Sequence, residues 1–151
     1  MSRKPTPIEN DEFTGSPETL TRKQVLEALR KGQSLAEADM RGADLGGVSF
    51  DAADLRNAKM ADANLTGCSF RGANLSGASL WHAILRDAVL DTANLEEADL
   101  DFANLDGCTL RGAKIKKAIF PFKRLSMDDV REAVRSGRRL HMEGTPLDDD
   151  E

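Results

Sequence analysis

A large apolar residue stands at every fifth position of this chain from residue 35 to residue 120. The series is Leu35, Met40, Leu45, Phe50, Leu55, Met60, Leu65, Phe70, Leu75, Leu80, Leu85, Leu90, Leu95, Leu100, Leu105, Leu110, Ile115 and Phe120. Two residues before each member stands a small one, usually Ala. Val48, Cys68 and Cys108 take its place three times, and Gln33 is the one polar exception. A period of five fits neither the 3.6 of a helix nor a sustained 2.0 of a strand. In extended backbone, residues two apart point the same way, so the small and the large residue of each unit share one side. The remaining residues are polar or Gly and suit a corner. Short extended segments with a corner every five residues must coil. One coil cannot bury its apolar side alone, so coils must stack.

The length of one coil is also written in the sequence. Gly47-Val48-Ser49-Phe50, Gly67-Cys68-Ser69-Phe70 and Gly107-Cys108-Thr109-Leu110 share a signature, and Asp87-Ala88-Val89-Leu90 fills the slot between them. The super-period is therefore 20, with four units per coil and residues 20 apart lying above one another. This predicts an all-β solenoid over residues 33–122, about four to five coils long, each rising ~4.8 Å if coils pair like strands.

Seven units read Ala, then Asp or Asn, then Leu: those ending at Leu45, Leu55, Leu65, Leu75, Leu95, Leu100 and Leu105. In this the chain resembles the pentapeptide repeat family. The resemblance implies a right-handed, four-sided β-helix with the large residue and the Ala inside.

Size and charge bound the rest. A chain of 151 residues is one domain plus tails. No apolar run approaches a membrane span and no signal-like segment opens the sequence, so the expected location is cytoplasmic, with no membrane partner. Residues 33–122 hold 13 acids and 9 bases, a net of −4. That balance argues against direct nucleic-acid binding. Cys68 and Cys108 fall at equivalent inward positions two coils apart, too far for a disulfide and compatible with a reducing compartment.

A solenoid exposes its core at both ends and needs caps. Thr21 with Gln24, and Leu20 with Val25, form a capping box and a staple. They predict a helix over 22–31, within a capping segment 20–32, with Gly32 just past its end. The segment from Leu125 to Gly137 repeats this pattern and predicts a second helix over 127–136, within a segment 123–142. It serves either as a cap or as a dimer contact through Met127, Val130 and Val134. Tails at 1–19 and 143–151 are polar and expected to be disordered, the second strongly acidic. A plain tail is the expectation for the N-terminus, with a short recognition motif in 8–13 as the lesser alternative.

The chemistry of catalysis is missing from the sequence. It has two His, no Tyr, and none of the common metal, phosphate-loop or nucleophile motifs. The Asp and Asn residues before each Leu are expected at corners, bonding local backbone groups. No catalysis, cofactor, metal or small-molecule substrate is expected.

The informative breaks are apolar residues at outward positions. Trp81, Ile84 and Val89 stand where polar corner residues are expected, and Phe102 should lie directly above His82. Trp81, His82, Ile84, Val89 and Phe102 are thus the candidate partner-binding residues, on or near one edge, the alternative being that the chain's own cap or tail folds over this edge and covers it. The expected function is a non-enzymatic protein–protein interaction scaffold or adaptor. The resemblance adds bacterial secretion or effector systems as a setting. One alternative is a DNA mimic that binds a type II topoisomerase, as some members of the resembled family do. The other is a structural module without a dedicated ligand.

Overall fold

The computed structural model describes residues 19–144. The expected tails and the 8–13 motif lie outside the described residues, apart from Thr19, Glu143 and Gly144. Among the described residues the extended segments are single parallel bridges between residues 20 apart, such as Asp44↔Asn64, Ser49↔Ser69, Asp54↔Asn74 and Lys59↔Ser79. These four define the four faces of a β-solenoid. The bridge residue donates backward, as from Asn64 N–H to the Ala43 carbonyl at 2.9 Å. The large residue donates forward, as from Leu65 N–H to the Ile84 carbonyl at 2.7 Å. Each unit of the inner turns thus ties to the turn on either side, which satisfies the backbone around an apolar core.

The small and large residues of each unit line the interior. All members of the five-residue series are at most 1% exposed except Ile115, which is half-buried. Phe50 and Phe70 stack one turn apart, and Cys68 and Cys108 are buried free thiols.

One sequence expectation is corrected. The Asp and Asn residues before each Leu do not sit at corners. They occupy the bridge position in the middle of a face and point outward. The corner is made by the two residues after the large one, the second of them with left-handed backbone: φ is 62° at Asp62, 62° at His82 and 61° at Phe102. The mid-face Asp and Asn still serve the corner, because their side chains accept its first N–H. Asn64 Oδ1 accepts from Thr66 N–H at 3.1 Å, and Asn104 Oδ1 from Asp106 N–H at 3.0 Å. The residue type follows from that bond, since only a short acceptor reaches two residues on.

Two helices close the stack. α1 spans Arg22–Arg30, one residue shorter than expected, and carries the predicted capping box between Thr21 and Gln24. Gly32 N–H donates to the Leu29 carbonyl and Gln33 N–H to that of Ala28, which ends the helix through a left-handed Gly32 (φ 70°). Val25 and Ala28 face the first turn. α2 spans Met127–Ser136, capped by Ser126 and ended by a left-handed Gly137. Its Val130 and Ala133 are buried in the same core, with Met127 and Val134 packed against it.

Candidate functional site

The site is the corner that follows Met60, Leu80, Leu100 and Phe120. Its first position holds Ala61, Trp81, Asp101 and Pro121 in successive turns, and its second holds Asp62, His82, Phe102 and Phe122. Corner side chains have no neighbour on the inside, so bulk here projects outward. Trp81 is 41% exposed and Phe102 55%. The Trp81 ring meets Phe102 edge to face at 5.9 Å and His82 at 5.2 Å. His82 Nδ1 lies 2.8 Å from Asp62 Oδ1, one turn away, which fixes the imidazole against the ladder.

Ile84 lies not at the corner but at the bridge position of the next face, between Asn64 and Asn104, and is 41% exposed. Val89 falls on the face after that, half-buried between Ser69 and Thr109. It is therefore a weak apolar substitution in a ladder of hydroxyls and does not belong to the edge. Trp81, His82, Phe102 and Ile84 do come together as expected.

The structure adds two residues that the sequence reading missed. Phe122 lines the same groove as Phe102 and His82, and Ile119 holds the last bridge position of the preceding face; both are about half exposed. The 20-residue register pointed to Phe122, which lies 20 residues beyond Phe102. Phe102, Ile119, Phe120, Phe122 and Met142 line a groove of about 430 Å³, with Arg124 and Lys123 at its rim.

The proposed dimer contact is not an open surface. Val130 is fully buried against its own solenoid, and Met127 and Val134 pack on the same core. The helix spends its apolar face on capping.

Acids and bases form ladders outside this corner. On one corner column Arg71 pairs with Asp91 at 3.4 Å, and Arg71 N–H donates to Asp51 at 2.9 Å. Arg86 reaches Asp106 at 3.3 Å. Among the described residues no group of His, Cys, Asp and Glu could hold a metal ion, and no helix is long and apolar enough to cross a membrane.

The family model for pentapeptide repeats matches residues 34–72 and 73–120 in eight copies, more than half of the chain. The chain belongs to the pentapeptide repeat family. Three solved structures of the family are similar to it. One is a pentapeptide repeat protein of the Arabidopsis thaliana thylakoid lumen, with 36% identity and TM-score 0.51, over 52% of this chain and 54% of that one. Another is Rfr23 of the cyanobacterium Cyanothece, with 30% identity and TM-score 0.55, over 55% and 56% of the two chains. The third is HetL of Nostoc, involved in the regulation of heterocyst differentiation, with 37% identity and TM-score 0.58, over 59% and 41%. The match thus spans about half the length of these relatives. No curated protein is significantly similar to the chain. What the family contributes here is the pentapeptide repeat β-solenoid itself.

Proposed function

We propose that this pentapeptide repeat protein is a non-enzymatic scaffold that binds a protein partner on the Trp81 corner. The carrying observation is the placement of its exposed apolar side chains. Of the six large ones among the described residues, five (Trp81, Ile84, Phe102, Ile119 and Phe122) stand on this corner or on the two faces that meet there. The sixth, Leu26, is on α1. Exposed apolar residues scattered singly need no explanation, whereas a contiguous patch with an aromatic anchor does. The backbone beneath Trp81, His82 and Ile84 is tied to both neighbouring turns, so that part of the patch is presented without an ordering cost at binding. The right-handed winding of four to five coils supplies a rigid rod for that presentation. The reading includes a reducing, cytoplasmic setting, supported by two free thiols.

The topoisomerase-binding reading needs long columns of acid. The acids at Asp91 and Asp106 are instead paired with Arg71 and Arg86 of the adjacent turn. It is tested by gyrase supercoiling, where no effect is expected at micromolar protein.

The test of the scaffold reading is an affinity pull-down with the full chain. Partner capture is expected to be lost with Trp81→Ala and with Phe102→Ala, while thermal melting stays near that of the wild type. Capture unchanged by both substitutions would remove the corner as the docking site.

A further inference from the structure

The Trp81 corner carries charge as well as rings. Asp101 lies one turn beyond Trp81 in the same corner column, since His82 N–H donates to the Asp101 carbonyl at 2.9 Å. Asp99 stands just before it, at the bridge position of the face that runs into the corner, between Ser79 and Ile119. The chain's own backbone holds both carboxylates in place. Asp99 Oδ1 accepts from Asp101 N–H at 3.0 Å, and Asp101 Oδ1 accepts from Phe102 N–H at 3.0 Å.

Other acids of the solenoid meet an arginine: Asp54 with Arg56 at 2.7 Å, Asp91 with Arg71 at 3.4 Å and Asp106 with Arg86 at 3.3 Å. Asp99 and Asp101 are stacked on Ser79, Ile119 and Trp81, none of them basic. Among the described residues neither forms an ion pair. Asp62, on the other side of Trp81, is already engaged with His82. The bases of the region flank the two acids rather than pair with them. Lys59 stands one turn before Ser79, and Lys123 is on the groove rim past Phe122. The charge left for an outside group beside Trp81 is therefore negative.

The three rings pack on one another, and centroid separations of 5.2 and 5.9 Å leave no room for a group between them. A ligand must lie on the outer part of the indole, which is 41% exposed. An indole face attracts a cation, and a fixed carboxylate beside it supplies the counter-charge and the acceptors. Lysine brings a point charge. The planar guanidinium of arginine can lie on a ring and fork its N–H groups onto a neighbouring carboxylate at the same time. We infer that the partner docks through an arginine, whose guanidinium lies on Trp81 and donates to the Asp101 carboxylate, with Asp99 adding to the attraction. This rests on the corner being the docking surface and names the chemistry of what docks there.

Trp81 is the only tryptophan of the chain, so its emission reports on this spot alone. The probe is a blocked Gly-Arg-Gly-Arg-Gly peptide, with counterparts in which lysine or citrulline replaces arginine, titrated into the full chain at low salt. The arginine peptide is expected to shift the emission saturably. The uncharged citrulline peptide should bind at least about tenfold more weakly, and the lysine peptide at least about threefold. Asp101→Asn removes the charge but keeps an acceptor for Phe102 N–H. It should weaken arginine binding at least about fivefold with the melting temperature unchanged. Asp128→Asn, which removes one exposed charge from α2, should bind like the wild type. No saturable shift, equal binding of the arginine peptide and either counterpart, or an Asp101→Asn variant weakened no more than Asp128→Asn overturns the inference. Emission that moves with protein concentration alone gives the indole to a second copy and also overturns it. The corner reading is tested apart from this. Partner capture lost with Trp81→Ala yet kept with Asp101→Asn removes the arginine and leaves the corner in place.

Discussion

The rings of Phe50 and Phe70 lie 5.0 Å apart and within 4° of parallel, one 20-residue turn from each other in the core. That separation is close to the ~4.8 Å spacing of paired strands, so the stack follows directly from the backbone ladder. Both rings are fully buried. Phe70→Ala is expected to destabilise the fold by about 3–5 kcal/mol, through lost burial and a cavity between turns. Phe70→Leu should cost less than about 1.5 kcal/mol, since Leu90 and Leu110 continue the same column with that side chain. Urea denaturation measures both. A loss below about 1 kcal/mol for the Ala variant would show that the column collapses to fill the gap.

The core was legible because a five-residue beat admits only one inward pair per unit, and the super-period located every stacking partner. The caps were legible because Thr21, Gln24 and Gly32 carry their own local bonds. The outward positions were less so. Periodicity alone does not say which outward residue is the corner, so the Asp and Asn before each Leu, and Ile84 and Val89 with them, were expected one step from their true places. Only the left-handed φ of residues such as His82 and Phe102 separates the corner from the face. The cap and dimer readings of the second helix stayed side by side in the sequence because a capping helix and a dimerising helix have the same apolar face.

Cys68 and Cys108 test the closure of the core. Each thiol donates to a carbonyl, of Leu45 and Leu85 respectively. Burial pushes the Cys68 thiol up to about 11, and that of Cys108 rises further for the same reason. The thiolate is the reactive form, so at about pH 8 the native protein should give almost no reaction with an aromatic disulfide reagent. In guanidinium both thiols should react. Prompt native reaction of either would mean that turns separate locally.

Acid should weaken the fold through the carboxylates held by arginines. Arg56, with Ser34, holds Asp54 down to about 2 from an ordinary 3.8. Arg41 likewise lowers Asp39, Arg30 lowers Glu27, and Arg135 lowers Glu132. A depressed folded-state value contributes stability above the unfolded value and loses it as pH falls through the folded one. Stability is therefore expected to be level from about pH 7 to 5 and to drop between about pH 4 and 2. The drop should be modest, because these pairs are solvent-exposed. Asp54→Asn should shrink it. A urea midpoint that stays constant down to about pH 2.5 would contradict this account.

Leu80 and Trp81 are chain neighbours with opposite duties, and they separate fold from recognition. Leu80 is fully buried, whereas Trp81 is 41% exposed and meets the rings of Phe102 and His82 along the corner. Leu80→Ala should cost about 2–5 kcal/mol, as for a large core residue cut to a methyl. Trp81→Ala removes one edge-to-face contact and part of an exposed ring, so its cost should stay near about 1 kcal/mol. Binding should follow the reverse order if the corner is the docking surface. Partner capture is lost with Trp81→Ala, and the Leu80→Ala chain, below its own unfolding transition, still captures. The pair of measurements is a denaturation curve and a pull-down on each variant. A Trp81→Ala chain that binds normally but melts like the Leu80 variant would make the tryptophan a structural residue and end the corner reading.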